Sequence, residues 1–467
     1  MRNRYAAWIT LRFYRAMSST QSRILRTTAY LTVGTFIAQG LGTASQFLLA
    51  AWLTPSDFGL FATANTSLFV FFALMNLGDV TGYLSNKGWA ERQLLWSTLK
   101  TNLVLAVAGL AVASFYFLQH QVVLGCLVAL LAIEVPLMGR TLALYAIAVR
   151  HRQVRLVVIS QMVAAVVKLL VGVAVAAVWH TPVALALALI AYSVTNGLSL
   201  EVVLRRRVPK ELSCEAPKRG ARFSWAVQSL TQALPTQADY IVVAAVSSPH
   251  VLGLYYFAYQ ATAGLSALLT GPLMKSSLAE FGQLEAAERR LAMALLRKIT
   301  GVVALAVVVL ALVLYFGQSL LPDAWSEAPT VLVLLLGTLS SRFVTPVAEA
   351  RQVADDRWWR SGLLNTVDAA GTAVAALMAI TDSVLALAGA IAAWKFISAV
   401  IRIAACFPEA NSLDIAKASL WPLLSLLTCV LAALTWEKDL SWQILCLAVV
   451  IGFLAAGRAL LVERGRA

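Results

Sequence analysis

Apolar runs of about 20 residues recur from one end of this chain to the other, and each is long enough to cross a bilayer as a helix. They lie near 28–53, 58–80, 94–118, 121–140, 156–179, 183–204, 223–247, 251–274, 299–320, 326–348, 361–380, 383–405, 419–436 and 440–457. Backbone withdrawn from water must satisfy its own hydrogen bonds, and a helix does so within one segment. The fold class expected is therefore all-α integral membrane, with about fourteen transmembrane helices. The fourth run is the least regular, because Glu134 and Pro136 interrupt it. Length alone would predict two or three soluble domains. Only 13% of the residues are charged, against about a quarter in a soluble domain, so the runs decide.

The net charge of +14 invites a nucleic-acid reading, but its distribution rejects one. With the N-terminus inside, all 37 lysines and arginines except Lys168, Lys395 and Lys438 fall in or beside cytoplasmic segments. Asp57, Asp323, Glu327, Asp382, Glu437 and Asp439 fall in outer turns. This positive-inside pattern predicts a multi-pass protein of a bacterial inner membrane with both termini cytoplasmic. Nucleic acid is not an expected partner; anionic membrane lipids are. Residues 1–26 carry Arg2, Arg4, Arg12, Arg15, Arg23 and Arg26 around an apolar stretch too short for a signal peptide. They read as a basic amphipathic segment on the inner leaflet. Cys126, Cys214, Cys406, Cys429 and Cys446 show no CxxC spacing, so they read as small packing residues with no metal or cofactor role.

The chain repeats itself. Pro55–Gly59–Leu60–Phe61–Ala64 after the first span matches Pro249–Gly253–Leu254–Tyr255–Ala258 after the seventh, as P-x3-G-L-aromatic-x-x-A. Six spans separate the copies, so both face the same way. That predicts two parallel-related six-helix lobes, residues 27–204 and 223–405, about an axis along the membrane normal. A basic linker at 205–222 joins them, and 406–467 adds two helices and a short cytoplasmic tail. The two motifs form tight outer turns, with proline ending one helix and glycine letting the next approach closely. Ser276–Arg297 has the spacing of a surface helix.

The stretch Leu53–Ala62, LTPSDFGLFA, resembles the LxxxxFGxxx signature of the polysaccharide and O-antigen flippases. Leu77–Gly78–Asp79, Asp239–Tyr240–Ile241–Val242, Leu252–Gln260 and Gly271–Pro272, which would close span 8, fit the same family. That family belongs to the multidrug/oligosaccharidyl-lipid/polysaccharide exporter superfamily. The resemblance implies two lobes around a central cavity. It also implies flipping of undecaprenyl-diphosphate-linked oligosaccharide to the outer leaflet, with a polysaccharide polymerase and export machinery as candidate partners.

A diphosphate brings about two negative charges that hydrocarbon rejects, so its carrier needs cations in a wet cavity. Lys168 in span 5 and Lys395 in span 12 lie near mid-membrane, where ionisable groups are functional candidates. The plainer alternative is structural ion pairing, with Glu134 or Asp368. Arg140 and Arg342 near inner span ends read as snorkelling residues. Asp239 in span 7 is the leading acid, for cation coupling, sugar hydrogen bonding or pairing with a lysine. Asp79 reads as a helix end. Gln39 and Gln46 in span 1, and Gln228, Gln232 and Gln237 in span 7, place amides on the repeat-related helices, suited to sugar hydroxyls or to helix–helix contact. His120, His180 and His250 read as turn residues. Pro55, Gly59, Pro249 and Gly253 are expected to help close an outer gate.

No outer loop is long enough for the catalytic loop of a polysaccharide polymerase or glycosyltransferase, and no GxxxxGK[ST] loop would support ATP hydrolysis. The chain reads as a transporter, not an enzyme. A cation-coupled drug antiporter of the same superfamily is the nearer alternative; it would favour an acidic, aromatic cavity.

Overall fold

The computed structural model describes residues 34, 37–75, 79–80, 83, 90–151, 153–207, 227, 230–231, 233–281, 290–355, 357–379, 383–407, 410–436 and 440–464. Every expected span has a helical counterpart there, and no strand occurs among the described residues. In chain order these are α1 (37–49), α2 (Pro55–Ser67), α3 (Phe69–Leu74), α4 (Glu91–Leu118), α5 (Val122–Arg150), α6 (Val154–Trp179) and α7 (Val183–Arg207). Then come α8 (Ala238–Val246), α9 (Pro249–Phe281), α10 (Arg290–Gly317), α11 (Ala328–Leu336), α12 (Leu339–Arg342) and α13 (Val344–Ala354). Last are α14 (Trp358–Met378), α15 (Val384–Cys406), α16 (Ser412–Leu434) and α17 (Ser441–Arg464). Seven described helices are long and apolar enough to cross a membrane, and a bent pair makes an eighth. Val104, Val107, Leu118, Leu170 and Val178 on α4 and α6 point outward. Such a band of large apolar side chains suits lipid and not water. The basic segment 1–26, the linker from 208 on and the middle of Ser276–Arg297 lie outside the described residues.

Three expectations about span shape are corrected. Pro136 does not interrupt the fourth span: α5 runs unbroken through it. A proline removes one backbone bond, which a helix packed between neighbours tolerates, and α5 packs against α4 and α7. Gly271–Pro272 does not close span 8, because α9 continues to Phe281. The tenth span is not one helix: Asp323–Leu336 and Leu339–Gln352 meet at 40°.

The two proline–glycine motifs start helices more than they end them. Thr54 and Asp57 form a capping box: the Asp57 amide donates to Thr54 Oγ1 at 3.3 Å and the Thr54 amide to Asp57 Oδ2 at 2.9 Å. Pro55 occupies the first turn, where its missing N–H costs nothing. Ser248 does the same for α9, accepting from the Val251 amide at 3.4 Å, with Pro249 next. The helices then cross against each other at their glycines. A Cβ added at Gly59 would overlap the Pro249 carbonyl, and one at Gly253 would overlap the Pro55 carbonyl. The contact is reciprocal, and only residues without a Cβ permit it.

Around this crossing lies the main core. Phe58 and Phe257 each pack on buried Trp325, with ring centroids 5.0 and 4.7 Å away. The Trp325 indole donates to the Leu53 carbonyl at 3.1 Å, tying the turn before α11 to the turn before α2. Phe61 meets Tyr256 edge-on at 5.9 Å. The side of the molecule bearing the proline turns is thereby closed with aromatic packing.

Candidate functional site

On the other side of that seal lies a cavity of about 540 Å³, within the roughly 300–1,000 Å³ of ligand sites. Helices α1, α2, α3, α5, α6 and α7 line it, with Gln237 from the turn before α8. Its polar groups include Gln39, Asn65, Glu134, Gln161, Lys168 and Asn196. Tyr145, Tyr192, Phe69 and Phe72 add aromatic faces.

Lys168 and Gln39 therefore open on this cavity. Glu134, which the sequence reading treated only as a partner for a lysine, shares it. The Glu134 side chain is 3% exposed and accepts from the Ser193 hydroxyl at 3.1 Å, within electrostatic reach of Lys168. One cation and one carboxylate thus share a pocket lined with amides. The signal for Glu134 was present in the sequence: an acid inside an apolar run is costly unless it has a use.

Lys395 and Asp239 do not line this cavity. The Lys395 ammonium bonds Asp368 Oδ1 at 3.2 Å and the Pro235 carbonyl at 3.1 Å. The second Asp368 oxygen faces Arg402 at 3.6 Å. Arg402 also donates to Asn365 at 2.7 Å, and Asn365 donates to Glu349 at 3.1 Å. This buried network joins α13, α14 and α15 to the broken turn of span 7. Lys395 thus takes the ion-pair alternative, with Asp368 as its partner, and neither it nor Asp239 is among the residues lining the cavity. Asp239 is fully buried in the first turn of α8; it accepts from the Tyr255 hydroxyl and, at 2.9 Å, from the Tyr240 amide. Tyr240, Tyr255, Tyr256 and Tyr259 pack around it, with Tyr240 and Tyr259 centroids 4.9 Å apart.

Gln46 lies on α1 away from the cavity lining, with its Oε1 buried. Gln228 and Gln232 lie outside the described residues, as do Leu77 and Gly78. Asp79 is buried and accepts from Ser97 at 2.7 Å, more than a helix end requires. Arg140 forms two 2.8 Å bonds to Glu201, which also pairs with Arg205. Arg342 does not snorkel: its guanidinium sits 4.7 Å over the Tyr259 ring at the bend of span 10. His120 and His180 occupy left-handed turn positions, with φ of 62° and 50°, and His250 starts α9. Pro55, Gly59, Pro249 and Gly253 meet one another and not the cavity.

Seven or eight described helices long and apolar enough to cross a membrane, six helices of the N-terminal half enclosing a polar cavity, define a multi-pass membrane protein. Residues 48–328, more than half of the chain, match the family described as polysaccharide biosynthesis protein, and the chain belongs to that family. The resemblance carried by Leu53–Ala62 is upheld. The fold is similar to that of a lipid II flippase, MurJ, in an inward closed conformation: TM-score 0.67, 12% identity, covering 92% of this chain and 99% of that one. A multidrug resistance MATE family transporter of the MOP superfamily, inward-facing, gives a TM-score of 0.49 at 14% identity, covering 88% of this chain and 96% of that one. No curated protein matches the sequence.

Proposed function

We propose that this protein flips undecaprenyl-diphosphate-linked oligosaccharide from the cytoplasmic to the outer leaflet of a bacterial inner membrane by alternating access, for export of a surface polysaccharide. It acts as a transporter, with no covalent chemistry of its own. The observation that carries this reading is a membrane-embedded cavity holding Lys168 and several amides, in a chain of the polysaccharide biosynthesis family. Lys168 offers charge to a diphosphate, while Gln39, Gln161 and Asn196 match sugar hydroxyls. The lipid tail stays in the bilayer. The sealed proline-turn side is the outer gate, and the two lobes rock about the α2–α9 crossing. The likeness to MurJ, a lipid II flippase, supports the class of lipid-linked substrate. Membrane potential supplies a driving force: two negative charges moving outward across roughly 150 mV gain about 7 kcal/mol.

In cells lacking the protein, lipid-diphosphate-linked oligosaccharide is expected to accumulate on the inner leaflet. Lys168→Ala should insert normally yet restore export at one tenth or less of the wild-type rate, since charge-assisted bonds contribute about 1.5–3 kcal/mol. Lys168→Arg should be milder. Export by Lys168→Ala at the wild-type rate would refute the anion-binding role.

One observation favours the second reading, a cation-coupled antiporter: Glu134, Tyr145, Tyr192, Phe69 and Phe72 also suit an organic cation. On that reading Glu134→Gln abolishes transport while Lys168→Ala spares it.

A further inference from the structure

Span 7 is broken where Pro235 stands. Leu234–Thr236 forms a single 3-10 turn, and α8 begins only at Ala238. In a continuous helix the Pro235 carbonyl would accept from the amide of residue 239. Here it points at the Lys395 ammonium, 3.1 Å away. That ammonium is 9% exposed and takes its other acceptor, Asp368 Oδ1, from α14 at 3.2 Å. Asp239, one turn along from the break, lies within electrostatic reach of it. Freed backbone carbonyls at the breaks of interrupted transmembrane helices coordinate Na⁺, and here a carboxylate from a neighbouring helix converges on the same point. In this chain a covalently attached cation fills that position.

We propose that the Lys395 ammonium is a tethered counter-ion in a monovalent-cation cage formed by the Pro235 carbonyl and Asp368. The C-terminal lobe thus works without binding Na⁺ there, and a neutral side chain at 395 would open the cage to Na⁺ or Li⁺. Three features support this. Both oxygens come from segments far apart in the chain, so the cation staples the broken turn of span 7 to α14 and α15. Arg402 stands off the second Asp368 oxygen at 3.6 Å, leaving Oδ1 to the ammonium. Lys395 itself lies outside the substrate cavity, so its charge serves the lobe. The inference rests on the transporter reading for its meaning: a lobe that carries its own cation gains nothing from a sodium gradient at this position.

Ion binding is testable without any substrate, so its failure is distinguishable from failure of the flippase reading. The full-length protein in detergent would be heated in NaCl, LiCl or choline chloride at equal ionic strength. Wild type should melt at the same temperature in all three. Lys395→Ala and the bulkier Lys395→Met should melt lower in choline and recover part of the loss, saturably, in Na⁺ or Li⁺. Lys395→Met/Asp368→Asn, which removes both charges together, should show no Na⁺ response. A Na⁺-specific, saturable rise in wild type would overturn the proposal. So would equal melting of every folded Lys395 variant in Na⁺ and in choline. If neither single variant folds in choline, folding in NaCl alone supports the cage, and failure in both salts overturns it.

Discussion

Asp368→Asn should be among the most destabilising single substitutions in this chain. The asparagine keeps the shape but removes the charge between two buried cations, Lys395 at 3.2 Å and Arg402 at 3.6 Å. Breaking a buried pair from one side costs about 3–5 kcal/mol, because the remaining charge has no compensation. Here one carboxylate serves two cations, and Asn365 is already occupied by Arg402 and Glu349. The measurement is thermal unfolding of the purified protein, or its yield in the membrane. A second substitution should rescue the first: Asp368→Asn with Lys395→Met should be more stable than Asp368→Asn alone. Additive losses would mean that the two side chains are not energetically coupled.

The second large effect belongs to the crossing of α2 and α9. Adding one methyl group at Gly253 places it on the Pro55 carbonyl, and at Gly59 on the Pro249 carbonyl. Backbone cannot yield as a side-chain tip would, so the helices must separate. Overpacking of this kind costs about 1–3 kcal/mol, and separation also strains the Trp325–Leu53 bond. Gly59→Ala and Gly253→Ala should each destabilise the sealed state. A cysteine placed at Asn65, in a background free of native cysteines, should then react faster with an impermeant maleimide added from outside. Unchanged labelling in both variants would remove the crossing from any gating role.

The span pattern was legible because it depends on hydrophobic run length alone, a local property of the chain. Helix breaks were not, and two prolines show why. Pro136 sits inside a continuous α5 and Pro235 inside a broken span 7. The residue type is the same and removes the same backbone bond in both; whether the helix continues depends on its packing against neighbouring helices, which the local sequence does not carry. The Thr54–Asp57 capping box was readable, since a threonine with an acid three residues on before an apolar run marks a helix start. The proline between them is equally compatible with the end of a preceding helix, so the motif alone does not separate the two. Of the site, Lys168 and Gln39 were found from the rule that polar groups in a span need a reason. That same rule could not separate Lys168 from Lys395. One lines a cavity and the other a salt-bridge network, and the choice depends on residues as distant in sequence as Glu134 and Asp368. The mirrored contacts of Gly59 and Gly253 are what a parallel repeat of the two lobes would produce, although only the short motif revealed that pairing in the chain.

Movement of a diphosphate-linked saccharide lipid across the bilayer can be followed by reconstitution. Purified protein would be placed in liposomes with a fluorescent polyprenyl-diphosphate disaccharide, and exposure of the sugar to an external quenching lectin followed with time. Flipping should depend on the protein, speed up when a potential draws negative charge outward, and fall to one tenth or less in Lys168→Ala. Flipping no faster than in protein-free liposomes, together with uptake of an organic cation that depends on Glu134, would contradict the flippase reading.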